Sequence, residues 1–157
     1  MKDGWGFAVA RGWSSMSLRA ALGLTCLTSA TAAFATALTV QGAWTPPSPQ
    51  AGADVGLYMT IHNEDDEADA LVRATCPFAN FSERRTVDVG EGGLSDRAIP
   101  NIPVAAHATL ELGPKTFHVG LLQTRDPLTA GQSFTCNITF RRAGPVEVKV
   151  MISASPP

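Results

Sequence analysis

From residue 38 onward the chain alternates apolar with polar or small side chains in short runs, and each run stops at a cluster of Gly, Pro or Asn/Asp. Such alternation marks a half-buried strand, because successive side chains in a strand point to opposite faces of the sheet. Leu38 to Trp44 predicts a first strand, ended by Thr45-Pro46-Pro47-Ser48-Pro49, whose prolines have no N–H to give to a ladder. Val55 to His62 predicts a second. The acidic cluster Asn63-Glu64-Asp65-Asp66-Glu67 then turns the chain into Ala70 to Cys76, and these two runs are expected to pair as a hairpin. Glu83 to Val89 predicts a further strand with Gly90-Glu91-Gly92-Gly93 as its turn, and the segment Ile99 to Val104, interrupted by Pro100 and Pro103, predicts an edge or irregular stretch. Ala108 to Leu112, Phe117 to Leu122, Ser133 to Phe140 and Val146 to Ile152 complete the set, the last two expected to pair across Ala143-Gly144. Roughly seven to nine short strands without an amphipathic helix of useful length predict an all-β, antiparallel Greek-key sandwich. It should form one domain over 38–153, followed by a short tail, 154–157.

The first 37 residues follow a different pattern. Lys2, Arg11 and Arg19 precede an uncharged run of small and apolar residues from Ala20 to Ala37, and Ala33-Phe34-Ala35 offers the small side chains a signal peptidase needs. The run is rich in Ala and Thr and poor in Leu and Ile, which is weak for a permanent span. The expectation is a cleaved export signal and a periplasmic mature chain, with an uncleaved inner-membrane anchor as the alternative; only that segment would touch the membrane. Met16-Ser17-Leu18-Arg19 would also serve as a compact charged start. Cys26 follows Gly23-Leu24-Thr25, which lacks the small residues that a lipoprotein signal places directly before its cysteine, so lipidation is not expected.

Loss of that segment leaves an even pair, Cys76 and Cys136, in an oxidising compartment, where a disulfide is expected. Two separately buried thiols are the alternative. The spacing is far too wide for a C-x-x-C redox pair. Of all residues 17% are charged and 45% are hydrophobic, and the net charge is −2, values that exclude disorder and give no basic surface for nucleic acid. No nucleophile elbow, metalloprotease motif, phosphate loop or dinucleotide fingerprint is present, so no enzyme is expected. Asn80-Phe81-Ser82 and Asn137-Ile138-Thr139 fit the glycosylation sequon by coincidence, given a bacterial resemblance.

That resemblance rests on local signatures in order: Ala43-Trp44 before Pro46-Pro47; Tyr58-Met59-Thr60-Ile61-His62-Asn63; Ile102-Pro103; Thr109-Leu110-Glu111-Leu112-Gly113-Pro114 leading to Phe117-His118; Leu128-Thr129-Ala130-Gly131-Gln132; and Ile138-Thr139-Phe140 with Ala143-Gly144-Pro145-Val146. Together they resemble the periplasmic copper-chaperone family PCu(A)C, across nearly the whole mature chain. The resemblance implies a cupredoxin-like sandwich, Cu(I) held by two His and two Met, and delivery toward cytochrome oxidase assembly. A soft d10 ion favours thioether and imidazole, and neutral ligands release it without a large charge penalty.

By the same resemblance only one ligand is retained. His118 matches the His of the H-x-M motif, while Gly120 stands at its Met. The other His falls near Ser82, just before Glu83, and the remaining Met near Ser95 or Arg97. No His or Met occurs from residue 63 to 106, so a shifted register does not restore them. His118 is then either a partial ligand or an ordinary edge histidine. Met59 is expected in the core, His62 at a strand end and His107 in a solvent-exposed turn, while the acidic cluster is expected as a solvated tip and not a calcium loop. Three functions follow: a Cu(I) carrier using His118; a metal-free envelope protein-interaction module, stapled by the disulfide; and a thiolate site, if Cys76, Cys136 and His118 converge.

Overall fold

A computed structural model describes residues 37–90 and 92–157. The predicted export segment, apart from Ala37, and Cys26 lie outside the described residues. The strands are β1 (Leu38–Thr45), β2 (Val55–Asn63), β3 (Asp69–Thr75), β4 (Ala79–Gly90), β5 (Gly93–Ile99), β6 (Ile102–Val104), β7 (Ala108–Leu112), β8 (His118–Thr124), β9 (Ser133–Phe140) and β10 (Gly144–Ile152). Their hydrogen-bonded order is β5-β4-β8-β2-β1-β10-β9-β3-β6, with β7 on β2.

One strand joins the two layers. Val55–Leu57 of β2 pairs with β8, Met59–Asn63 on the same edge pairs with β7, and β1 runs along the opposite edge. Leu57, Met59 and Ile61 alternate inward along β2, so this strand meets core from both layers. Leu71, Ile102, Leu121, Ile138, Phe140 and Val150 close the same core. Each such side chain contributes about 1.5–3 kcal/mol by leaving water.

The all-β sandwich is as expected, as is the β9·β10 hairpin. Two points of the predicted topology are corrected. β2 and β3 form no hairpin: β3 pairs with β6 and β9, so the acidic segment 64–68 carries the chain across the sandwich instead of reversing it in place. The sheet is also not wholly antiparallel, because Trp44 and Thr45 of β1 run parallel to Met151 and Ile152 of β10.

The acidic segment is pinned by partners and offers no cage for a cation. Arg142 bonds Glu67 and lies 3.8 Å from Asp65, while His107 Nε2 lies 2.8 Å from Asp66 Oδ1. Asp69 has a structural task nearby. Its Oδ1 accepts from the backbone N–H of Ala70 and Arg142, and its Oδ2 from that of Ala143, at 2.7–2.9 Å, which fastens the β9–β10 turn to the start of β3. Burial pushes this carboxyl up, but the three N–H donors and the Arg142 charge outweigh it and hold Asp69 below the usual carboxylate range. A depressed folded-state value means that the stabilisation is complete above the ordinary carboxylate value and is lost as pH falls through the folded one. Asp69→Ala should therefore cost about 1.5–3 kcal/mol at neutral pH. Urea unfolding should show the gap between parent and variant narrowing as pH falls below the ordinary carboxylate value of about 3.9; a gap as wide in acid as at pH 7 would refute this account.

Candidate functional site

The longest run of buried residues among the described strands is at β8, where His118, Val119, Gly120 and Leu121 are all buried. Val119 and Leu121 face the core; His118 and Gly120 point the other way, into a cavity of about 430 Å³ that also takes in Tyr58, Arg85, Asp96 and Asp54. β8 lies between β4 and β2. His118 is thus not an edge histidine.

Cross-strand register selects its neighbours. Arg85 is the direct partner of His118 across β4·β8, and Glu83 is that of Gly120. On β5, Asp96 pairs with Val87, which puts its side chain on the same face as Arg85. Arg85 Nε donates to Asp96 Oδ1 at 2.9 Å, one Nη to Glu83 Oε2 at 2.7 Å and the other to the Asp96 carbonyl at 3.3 Å. The hydrogen bond to Asp96 is the main reason the guanidinium is held above its already high ordinary value; burial opposes it. His118 Nδ1 lies 3.3 Å from the Thr116 carbonyl. A carbonyl only accepts, so Nδ1 carries the proton there and Nε2 is the nitrogen turned to Asp96, 3.5 Å from Oδ2.

Two glycines make this packing possible. A Cβ at Gly120 would stand 2.9 Å from Arg85 Cδ, so the stem of Arg85 lies where a side chain at 120 would start. A Cβ at Gly56 would fall on the Tyr58 ring, which crosses Gly56 to reach the cavity, 4.8 Å from Trp44 and 6.2 Å from His118 between ring centroids. Burial, and then the Asp96 charge, push the Tyr58 phenol up, so it stays a neutral hydroxyl.

The positions assigned above to the lost ligands need correction. Ser82 faces away from His118, its hydroxyl donating to the Ala74 carbonyl; Ser95 and Arg97 share the far face of the β4–β5 hairpin, where Arg97 Nε bonds Asp88. Arg85 and Asp96 occupy the His118 face instead. Sequence reasoning missed both, since neither is a copper ligand and only the register shows which side of a strand a residue takes. Met59 is buried in the core, His62 bonds the Thr109 hydroxyl at 2.9 Å on an exposed face, and His107 is exposed. Cys76 and Cys136 are bonded to each other, with Cα atoms 4.5 Å apart, and neither lines the His118 cavity. The thiolate site is therefore overturned.

The residues present do not fit Cu(I). One imidazole remains, the neighbouring donors are hard oxygens, and a guanidinium sits at the centre, repelling any cation. No cluster of three or more His, Cys, Asp or Glu suited to a metal occurs among the described residues.

Several solved structures are similar in fold, among them three PCuAC or copper-binding domains. The copper-bound PCuAC domain from PmoF2 has a TM-score of 0.64 at 16% identity, covering 76% of this chain and 94% of its own. The apo PCuAC domain from PmoF1 has 0.63 at 22%, covering 76% and 95%. Cu(I)-DR1885 from Deinococcus radiodurans has 0.59 at 25%, covering 79% and 85%. No curated protein matches the sequence. Residues 38–152 match the family described as "Putative lipoprotein LpqE-like". By this match the chain belongs to the LpqE-like family, and its fold is that of the PCuAC domains.

Proposed function

We propose that this chain is an exported envelope protein that keeps the PCuAC sandwich but does not carry copper at the inherited face, and instead presents that face to another envelope protein. The observation that carries this reading is the Arg85 guanidinium, hydrogen-bonded to Asp96 and Glu83 in front of His118, with its stem packed over Gly120. It replaces cargo chemistry with a fixed ion-pair network. Beside it Leu94 and Val89, a cross-strand pair, stand 62% and 81% exposed, an apolar rim of the kind that marks a contact surface. Export is supported by the charge pattern of residues 1–37 and by a disulfide of the sort that persists outside the cytoplasm. Gly23-Leu24-Thr25 before Cys26 lacks the small residues of a lipoprotein signal, which favours export without lipidation. Delivery toward cytochrome oxidase assembly, which the copper reading requires, has no cargo to deliver here.

The test is a Cu(I) titration of the chain from Thr36 onward against a competing chelator, with the cysteines oxidised and then reduced. No competitive binding is expected in either state. Tight one-to-one binding by the oxidised protein, abolished by His118→Ala, would restore the copper-carrier function and defeat this one.

A further inference from the structure

A second cavity, of about 370 Å³, opens on the other side of β4, against β3. Its walls are two strand stretches that are paired along one edge only, β3 with β9 and β4 with β8. β3 is covered by β6 only over Asp69–Leu71, and β4 is covered by β5 only from Arg84 onward. Val72–Thr75 and Ala79–Glu83 therefore keep one open edge each, and these are tied together by the Ser82 hydroxyl on the Ala74 carbonyl and by Ala79 N–H on the Cys76 carbonyl at 3.4 Å. The disulfide fixes the end of this wall to β9.

The charge of this cleft is one-sided. Arg73 and Arg84 line it and no carboxylate does. Among the described residues the ion pairs of arginine engage Arg85, Arg97 and Arg142, not these two. Arg84 Nε is buried and has no hydrogen-bond partner among the described residues. A buried donor on a charged group without a protein acceptor is costly, and a water or an anion completes such a group. Other donors converge beside it. Thr75 brings a hydroxyl, and Asn80, whose Oδ1 accepts from Arg125 Nε at 2.9 Å, has its NH2 left to donate, while the Ser82 proton is already given to Ala74.

We propose that the β3–β4 cleft is an oxyanion site, in which Arg84 and Arg73 take a phosphate or carboxylate group of a small ligand. A guanidinium fork matches the spacing of both groups and binds either through paired N–H donors. The site is independent of the His118 cavity, where carboxylates already occupy the arginine.

Amide NMR of the oxidised chain from Thr36 onward, titrated with inorganic phosphate and separately with citrate at constant ionic strength held by sodium chloride, tests this. Saturable shifts confined to residues 73–84 are expected with at least one probe, leaving His118 and Gly120 unmoved. A stronger response to phosphate assigns a phosphate ligand, and a stronger response to citrate a carboxylate. Arg84→Gln should weaken binding at least about tenfold. Arg73→Gln, at an exposed position that does not threaten folding, should weaken it several-fold. Shifts that sodium chloride alone reproduces, or affinity kept in the Arg73→Gln variant, would overturn the proposal.

Discussion

The triple variant Arg85→His, Asp96→Met, Gly120→Met is expected to bind Cu(I) that the parent does not hold, with a gain in affinity of at least about a thousandfold, roughly 4 kcal/mol. The geometry specifies the positions. Residue 85 sits directly across from His118, residue 120 is two places along on the same face, and the Asp96 carboxylate already stands 3.5 Å from His118 Nε2. Replacing Arg85 removes both the positive charge and the stem that blocks a side chain at 120. Two imidazoles and two thioethers then meet the preference of a soft ion. Competition with a chelator should show one copper per chain, lost again when His118→Ala is added. A triple variant that folds, by near-UV circular dichroism and melting temperature, yet takes up no copper would mean that this face is not the inherited metal face.

Breaking the Cys76–Cys136 bond is expected to give the largest loss of stability. The bond closes a loop with a sequence separation of 60, and in the chain-entropy model its removal costs roughly 4 kcal/mol, with strain and residual unfolded structure able to reduce that. Both cysteines are buried, and neighbouring Phe78 and Phe134 pack edge to face with centroids 4.0 Å apart. The double variant Cys76→Ala, Cys136→Ala should thus melt on the order of 15 °C lower, with the β-sheet circular dichroism spectrum kept at low temperature. A change under 3 °C would show that the paired side chains hold this end of the sandwich without the covalent bond. The same variant should also loosen the β3–β4 cleft, whose wall the bond secures.

The strands were legible in the sequence because alternation records burial directly: β2, β9 and β10 bury every second residue through much of their length, as their apolar pattern predicts. The pairing of strands was less legible. Asn63–Glu67 looks like a tip, and nothing local distinguishes a reversal from a crossing. The crossing is decided by remote partners, Arg142 for the acidic side chains and the 142–143 backbone for Asp69. β5 was hidden for a different reason: six of its seven residues are exposed, so no apolar period marks it, and it is a strand because β4 offers an edge to pair with.

By itself the sequence determined the all-β class, the family resemblance, the cysteine pair as a candidate bond, and the survival of His118 without its neighbouring Met. These follow from residue identity and spacing along the chain. Only the tertiary structure decided what replaced the metal. A strand turns alternate side chains to opposite faces, so a displacement of one residue moves a group from the site to its back. Ser82 and Arg85 stand close together in sequence, yet one faces Ala74 and the other His118. The ion pair of Arg85 with Asp96, and the open arginine cleft behind it, arise from register and from which strand edges are left uncovered, both properties of long-range pairing.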